Sequence, residues 1–394
     1  MSLASAFDAV TMEDLRSRGG IKWTLHGEDT IGAFIAEMDF GTAPPITEAL
    51  HAAVERRDFG YLPPRAAAAM SGACAQWQRD RYGWDVEPAD VHPIADVVKG
   101  FEAAIEHFSR PRSPVILPTP AYMPFLKVPR SLGRDIIEVP MAFDGTRHVF
   151  DLDAIARAFR SGGHLLTLCN PYNPLGRVFT AEELAGLSEV VERHGGRVFA
   201  DEIHAPLTYP GHRHVPYASV SPEAAGHTLT ATSASKAWNV PGLKCAQLIV
   251  SNSADAAVLA GIGPVLSHGA GNLGVAAATA AYTAGGDWLD EVLAYLDGNR
   301  HELSGLLGEH LPEVGYTPPE GTYLAWLDFR GLGLGDNPGH VLHERSGTVL
   351  VDGPDCGEPG RGFARLNFAT PRPVLRELVT RMATGARAGA ERSA

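Results

Sequence analysis

Four cysteines in 394 residues, Cys74, Cys169, Cys245 and Cys356, lie far apart and form no C-x-x-C pair. That argues against a disulfide scaffold and against a structural zinc site, which needs ligand pairs at short spacing. Reduced, buried thiols in a cytoplasmic protein are expected, with no metal. Long apolar runs are missing too. No stretch reaches the ~18 residues of a membrane span, and the first twenty residues lack the charged start and apolar run of an export signal. Positive charge is scarce: 33 Lys and Arg stand against 46 Asp and Glu, a formal net charge of -13. The basic residues are scattered singly, so neither nucleic acid nor an anionic membrane is expected as a partner. Internal repeats and low-complexity linkers are absent, and only residues 388–394 read as a frayed tail.

What is present is an ordinary globular balance, 45% hydrophobic and 20% charged. Short apolar runs at residues 114–118 (PVILP), 164–168 (HLLTL), 197–200 (RVFA), 228–232 (TLTAT) and 245–250 (CAQLIV) read as buried strands. Helical patterns lie between them, for example 181–194, with Thr180 as N-cap and Glu183 three residues on. Strands alternating with helices predict an α/β fold with a mostly parallel sheet covered on both faces. From about residue 272 the pattern changes. Residues 273–307 are Ala- and Leu-rich and helical, interrupted at Gly285 and Gly286. Strands at 321–329, 348–351 and 363–367 and a helix at 373–384 come next, predicting a smaller α+β domain. The expected division is 1–45, a segment packing on the small domain or on a partner; 46–285, the large domain; and 286–394, the small C-terminal domain.

Three polar groups sit just past predicted strands, where ligands bind on such sheets. Residues 170–176 (NPYNPLG) come after HLLTLC, 201–204 (DEIH) after RVFA, and 233–236 (SASK) after TLTAT. Each alone has an innocuous reading: a turn, a helix cap, a solvated loop. Their order and common context carry the signal. Gly331 to Gly335 (GLGLG) has the wrong spacing for a dinucleotide loop and reads as a turn.

With these motifs the chain resembles fold-type-I pyridoxal-5′-phosphate (PLP) enzymes of the class I/II aminotransferase family, with the aspartate-aminotransferase-like fold. Within them it is similar to the cystathionine β-lyase-like carbon–sulfur lyase branch, the MalY/PatB type. The likeness covers nearly the whole chain. It includes AEMDF (36–40), FGY (59–61), PAY (120–122), CNPYNPLGRVFT, DEIHAPL, SASKAWNVPGLKCAQ, PPEGTYLAWLDFR and RLNFATPR.

The resemblance implies PLP as cofactor, held as an imine on Lys236, and an amino-acid substrate. Lys236 is also the amine set in a small hydroxyl-rich loop after a buried strand, where confinement lowers a lysine pKa. Asp201 is implied to face the pyridine nitrogen; Glu202, its rival, points the other way on extended backbone. Asn173 is implied to donate to the phenolic oxygen and Tyr122 to stack on the ring, although a core tyrosine fits Tyr122 equally. His204 marks the lyase branch or packs behind the cofactor. For the phosphate, Lys99, Gly100 and Phe101 are read as opening a helix at 101–108, whose amides would face an anion. Ser233 and Ser235 would supply hydroxyls and Lys244 a cation. Arg365, with Arg361 and Arg372 as rivals, is implied to clamp the substrate carboxylate. Tyr61 is implied to reach the neighbouring subunit's phosphate, making a homodimer with shared active sites.

Several positions depart from the lyase pattern: Tyr172, Leu175, Pro206, Lys99 and Glu37. The expected reaction is α,β-elimination from a cysteine S-conjugate, giving thiol, pyruvate and ammonia. Transamination or decarboxylating deamination is the alternative, and a PLP-containing regulatory binding protein is the third reading.

Overall fold

The computed structural model describes residues 2–388, so most of the expected frayed tail lies outside the described residues. The apolar runs form seven strands: Val91–Ile94 (β1), Val115–Thr119 (β2), Ile136–Pro140 (β3), Leu165–Cys169 (β4), Arg197–Asp201 (β5), Thr228–Thr232 (β6) and Ala246–Val250 (β7). They join in one sheet in the order β1-β7-β6-β5-β4-β2-β3. Strands β3, β2, β4, β5 and β6 are mutually parallel, and β7 is antiparallel to both β6 and β1. Every residue of β2, β4, β6 and β7 is buried, which is why these strands read as continuous apolar runs rather than as alternation.

This topology decides where a site can form. The carboxyl ends of β2, β4, β5 and β6 share one edge. Because β7 runs backwards, its first residues reach the same edge, and so does the end of β1, where Ile94 pairs with Ala246. Residues 95–96, 120–122, 170–173, 201–204, 233–236 and 244 are therefore gathered from six strands.

The helix Ala181–Arg193 carries the expected capping box of Thr180 and Glu183. The helix expected at 101–108 is a correction: it runs Val97–His107, with Asp96 as N-cap accepting from the Lys99 N–H. Lys99, Gly100 and Phe101 are therefore inside the first turns rather than at the mouth. The long helical region breaks into Asn272–Ala284 and Gly286–His310 at Gly285. Trp238 is the cause. Its indole N–H donates to the Gly285 carbonyl at 2.9 Å, and a Cβ on Gly285 would stand 2.4 Å from that nitrogen.

A second, antiparallel sheet orders Gly315–Tyr316, Leu324–Asp328, Phe363–Asn367 and Val351–Asp352. The glycine-rich stretch after Leu324–Asp328 is a short turn, with Gly333 and Gly335 at positive φ. The early chain packs against this region. Ile31–Gly32 pairs in parallel with Thr348–Val349, and Asn367 Nδ2 donates to the carbonyls of Ile35 and Glu37. A buried ion pair fixes the same segment: Lys22 Nζ lies 2.8 Å from Asp39 Oδ2, and Trp23 Nε1 donates to Asp39 Oδ1 at 2.8 Å. Residues 34–39 are thereby laid across the carboxyl edge of the large sheet. No helix among the described residues is long and apolar enough to cross a membrane.

Candidate active site

Lys236 lies in the short helix Ala234–Ala237, which β6 delivers directly onto the carboxyl edge. Its Nζ donates to the Ala36 carbonyl at 2.9 Å. Burial, then the positive charge of Arg365, brings its pKa down to about 8. A larger share of neutral amine is thus available near neutrality, which suits nucleophilic and proton-transfer chemistry. Asp201, the last residue of β5, is buried, and burial pushes its carboxyl up to about 7. The Ile203 N–H, at 3.1 Å, gives the only hydrogen bond its side chain receives among the described residues. Glu202 faces the opposite way and is fully engaged. Tyr217 N–H donates to its Oε1 at 2.8 Å, and His214 Nε2 meets its Oε2 at 3.1 Å.

Arg365 comes from the strand Phe363–Asn367 and is 2% exposed. Its guanidinium donates to Asn173 Oδ1 at 3.0 Å and to the Phe34 carbonyl at 2.7 Å, and its Nε is buried with no partner among the described residues. No carboxylate pairs with it among the described residues. A buried cation held by neutral dipoles alone is costly unless an anionic ligand completes it. Its two rivals are spoken for: Arg361 is exposed and pairs with Asp336 and Glu358, and Arg372 lies beside Glu302 and Asp8.

His204 is 2% exposed. Neither ring nitrogen hydrogen-bonds to a described residue, and Nδ1 is fully buried. Burial, then the charges of Lys236 and Arg365, brings its pKa down to about 3, so the ring is neutral. It packs edge-on to Tyr323 at 6.0 Å. Tyr122, half-buried at the start of the helix Met123–Ser131, has its hydroxyl pKa raised by burial and then by the charge of Asp201. Lys236, Asp201, Arg365, Asn173, His204 and Tyr122 are thus brought together at the carboxyl edge: Arg365 bonds Asn173, and the charges of Lys236, Asp201 and Arg365 reach His204 or Tyr122.

The expected phosphate cradle is rearranged. Lys99 points outward to an ion pair with Glu102. Phe101 is fully buried, packing 5.0 Å from Phe125 and 5.1 Å from Phe199. The Gly100 N–H already bonds the Asp96 carbonyl at 3.2 Å. The helix start instead leaves the N–H groups of Val97 and Val98 without a partner among the described residues. Ser233 is a cap: its Oγ donates to the Cys245 carbonyl and accepts from the Ser235 N–H. The Ser235 hydroxyl makes no such bond, and Lys244 Nζ meets Asp96 Oδ2 at 2.9 Å.

Sequence reasoning missed Asp96, which both caps the helix and holds Lys244; the spacing Asp96 to Lys99 was its only signal. It also gave no role to Tyr323, whose hydroxyl donates to the same Ala36 carbonyl as Lys236, at 3.0 Å. Two departures are engaged elsewhere. Tyr172 is buried with its hydroxyl on the Pro118 carbonyl at 2.7 Å, and Pro206 lines a separate hollow of about 260 Å³.

Tyr61 stands apart at 94% exposed, beside Phe59 at 66%. Its loop is held by Asn272, which donates to the Gly60 and Asp58 carbonyls. A cavity of about 720 Å³ opens there, walled by Tyr61, His92, Pro264, His268 and Asn272.

Residues 35–382 match the aminotransferase class I and II family, and the chain belongs to it. It is 41% identical over 376 residues to a protein named cystathionine beta-lyase from Corynebacterium glutamicum, covering 95% of this chain and 98% of that one. It is 32% identical to the cystathionine beta-lyase PatB of Bacillus subtilis, covering 92% and 95%. Among solved structures it is similar to cystalysin from Treponema denticola, which contains a pyridoxal 5′-phosphate cofactor. That likeness has TM-score 0.90 and 26% identity, with 97% and 99% of the chains covered.

Proposed function

We infer that the protein is a PLP-dependent carbon–sulfur β-lyase acting on a cysteine-type amino acid. The observation that carries this reading is the set of half-buried Lys236 and buried Asp201 and Arg365, none of which forms an ion pair with a described residue. These are the groups a PLP–amino-acid pair needs, and the likeness to proteins named cystathionine beta-lyase selects the reaction. Bound here, PLP supplies the electron sink for negative charge developing at the substrate Cα.

The chain's residues divide the remaining work. Lys236 Nζ would hold the cofactor, and its amine is the base placed to take the Cα proton. Asp201 would keep a proton on the cofactor's ring nitrogen, its single side-chain hydrogen bond among the described residues leaving an oxygen for that partner. Asn173 Nδ2 is free to donate to the phenolic oxygen, and Tyr122 offers a flat face. Val97 and Val98 N–H, Ser235 Oγ and Lys244 suit a phosphate. Arg365 fixes the substrate carboxylate, so that Cα–H meets Lys236. A thiolate then leaves Cβ. The net reaction consumes one water and yields thiol, pyruvate and ammonium.

Tyr61 and Phe59 are proposed to be covered by a second copy of the chain, Tyr61 completing the partner's phosphate site. Exposed aromatics beside a large open cavity support that reading. The division at residues 46 and 286 and a cytoplasmic location are proposed as well; four buried, free cysteines support the latter.

The decisive assay supplies cystathionine or an S-alkyl cysteine without any keto acid. Thiol and pyruvate formed over many turnovers support elimination. A single turnover restarted only by keto acid marks an aminotransferase instead.

A further inference from the structure

The hollow of about 260 Å³ that Pro206 lines is joined to the end of β5 through His214, which also lines it and meets Glu202. It opens where the loop carrying Pro206, Arg213 and His214 faces Trp77, Arg81 and Tyr82, at the end of the helix Pro64–Tyr82. No acidic side chain lines it among the described residues. Its two guanidinium groups are unequally committed. Arg81 lies over the Trp77 ring, 4.7 Å from its centroid, and pairs with Asp290 at 3.1 Å. Arg213 is exposed, and its side chain makes no hydrogen bond or ion pair with a described residue.

Three residues that line this hollow each hold a buried polar atom with no partner among the described residues: Trp77 Nε1, Tyr82 Oη and His214 Nδ1. Trp77 is 7% and His214 2% exposed. Buried polar groups are ordinarily hydrogen-bonded, so three around one hollow point to a ligand with polar atoms of its own. Their chemistry is specific. The Trp77 N–H can only donate. His214 Nε2 lies 3.1 Å from Glu202 Oε2. A carboxylate only accepts, so Nε2 carries the proton and the neutral ring keeps a lone pair at Nδ1. Tyr82, whose ring meets that of His214 edge-on at 4.9 Å, can donate or accept. The fitting ligand is therefore an anion for Arg213 that accepts from Trp77 and donates to His214.

We propose that this hollow is a binding site for inorganic hydrogen phosphate. Near neutrality that ion keeps one P–OH, a donor for His214 Nδ1, while its other oxygens accept from Trp77 and Arg213. Sulfate has the same shape but no proton to give. A proton offered to Nδ1 strengthens Nε2–H as a donor to Glu202, so occupancy tightens the hold on the residue next to Asp201. The site stands independently of the lyase reading.

The test is calorimetric titration of the PLP-loaded protein, whose cofactor fills its own phosphate seat, in a phosphate-free buffer at about pH 7.5. Inorganic phosphate should bind once per chain. Sulfate, and glycerol 3-phosphate, whose second proton is largely lost at that pH, should bind about tenfold more weakly or worse. Arg213→Gln should weaken phosphate by about tenfold and Arg213→Lys by less, with the visible band of the cofactor unchanged in both. Trp77→Phe, which removes the buried N–H, should weaken phosphate as well. No binding of millimolar phosphate to the wild type would overturn the proposal. So would phosphate binding unchanged in Arg213→Gln, or sulfate or glycerol 3-phosphate binding as tightly as phosphate.

Discussion

Two adjacent carboxylates at the end of β5 are both buried, yet the protein treats them oppositely. Glu202 is closed in by the Tyr217 N–H and His214, with nothing left over. Among the described residues the Asp201 carboxyl receives one hydrogen bond, and burial raises its pKa. The same contrast separates two lysines, buried Lys22 and half-buried Lys236. Lys22 is paired with Asp39, whereas Lys236 rests on a neutral carbonyl. Where burial of a charge serves the fold, the chain satisfies it from within. Where the chain supplies no counter-charge of its own, the arrangement suits a ligand, because an unpaired buried charge costs stability that only binding recovers.

The sharpest way to break this comparison is to remove each lysine. Lys236→Ala should lower thiol release by about 10³-fold or more, since both covalent attachment and proton transfer go with it. The visible band should vanish, and urea unfolding of the apoprotein should change little. Lys22→Ala should do the reverse. It strands Asp39 and should lower stability by about 3–5 kcal/mol in urea titration. If Lys236→Ala also unfolded the apoprotein, the distinction between paired and reserved charges would fail.

The carboxylates give a second pair. Asp201→Asn should reduce turnover by about 10²-fold while PLP still binds, and Glu202→Gln should mainly cost stability, about 1–3 kcal/mol. Full activity in Asp201→Asn would move the ring-nitrogen role elsewhere. Asp201 also predicts a pH signature. Its folded pKa, about 7, lies above its unfolded value of 3.8, so the folded apoprotein holds the extra proton between them. Its contribution to apoprotein stability is therefore lost as pH rises from about 4 to about 7. Asp201→Asn should flatten that part of the curve, measured as urea midpoint against pH. The smallest effect is kinetic. Reconstitution of apoprotein with PLP should quicken as pH rises through about 8, where Lys236 loses its proton, rather than near 10.5.

Much of the fold is legible in the sequence alone. Strands β2, β4, β5, β6 and β7 stand out because burial on both faces removes the polar residues that would break an apolar run. Lys236, Asp201 and Asn173 are legible because the sheet topology delivers the residues after each strand to one edge. The helix at Val97 is not, because Asp96 caps it through a side-chain bond while the apolar pattern looks strongest from Phe101. Tyr323 escapes for a different reason: its role depends on meeting the Ala36 carbonyl across 287 positions, and no local pattern encodes such a meeting. Tyr172 reads as a departure near the chemistry. Its hydroxyl is turned to the backbone of the neighbouring strand instead.

The wall made by residues 34–38 also dates the birth of the site during synthesis. Phe34 leaves the ribosome early, but its carbonyl waits for Arg365, and Ile35 waits for Asn367. The large sheet can assemble as the chain emerges, since its strands are nearly consecutive. The hydrogen bonds that hold this segment over Lys236 need the strand Phe363–Asn367, so a nascent chain truncated before that strand lacks the clamp.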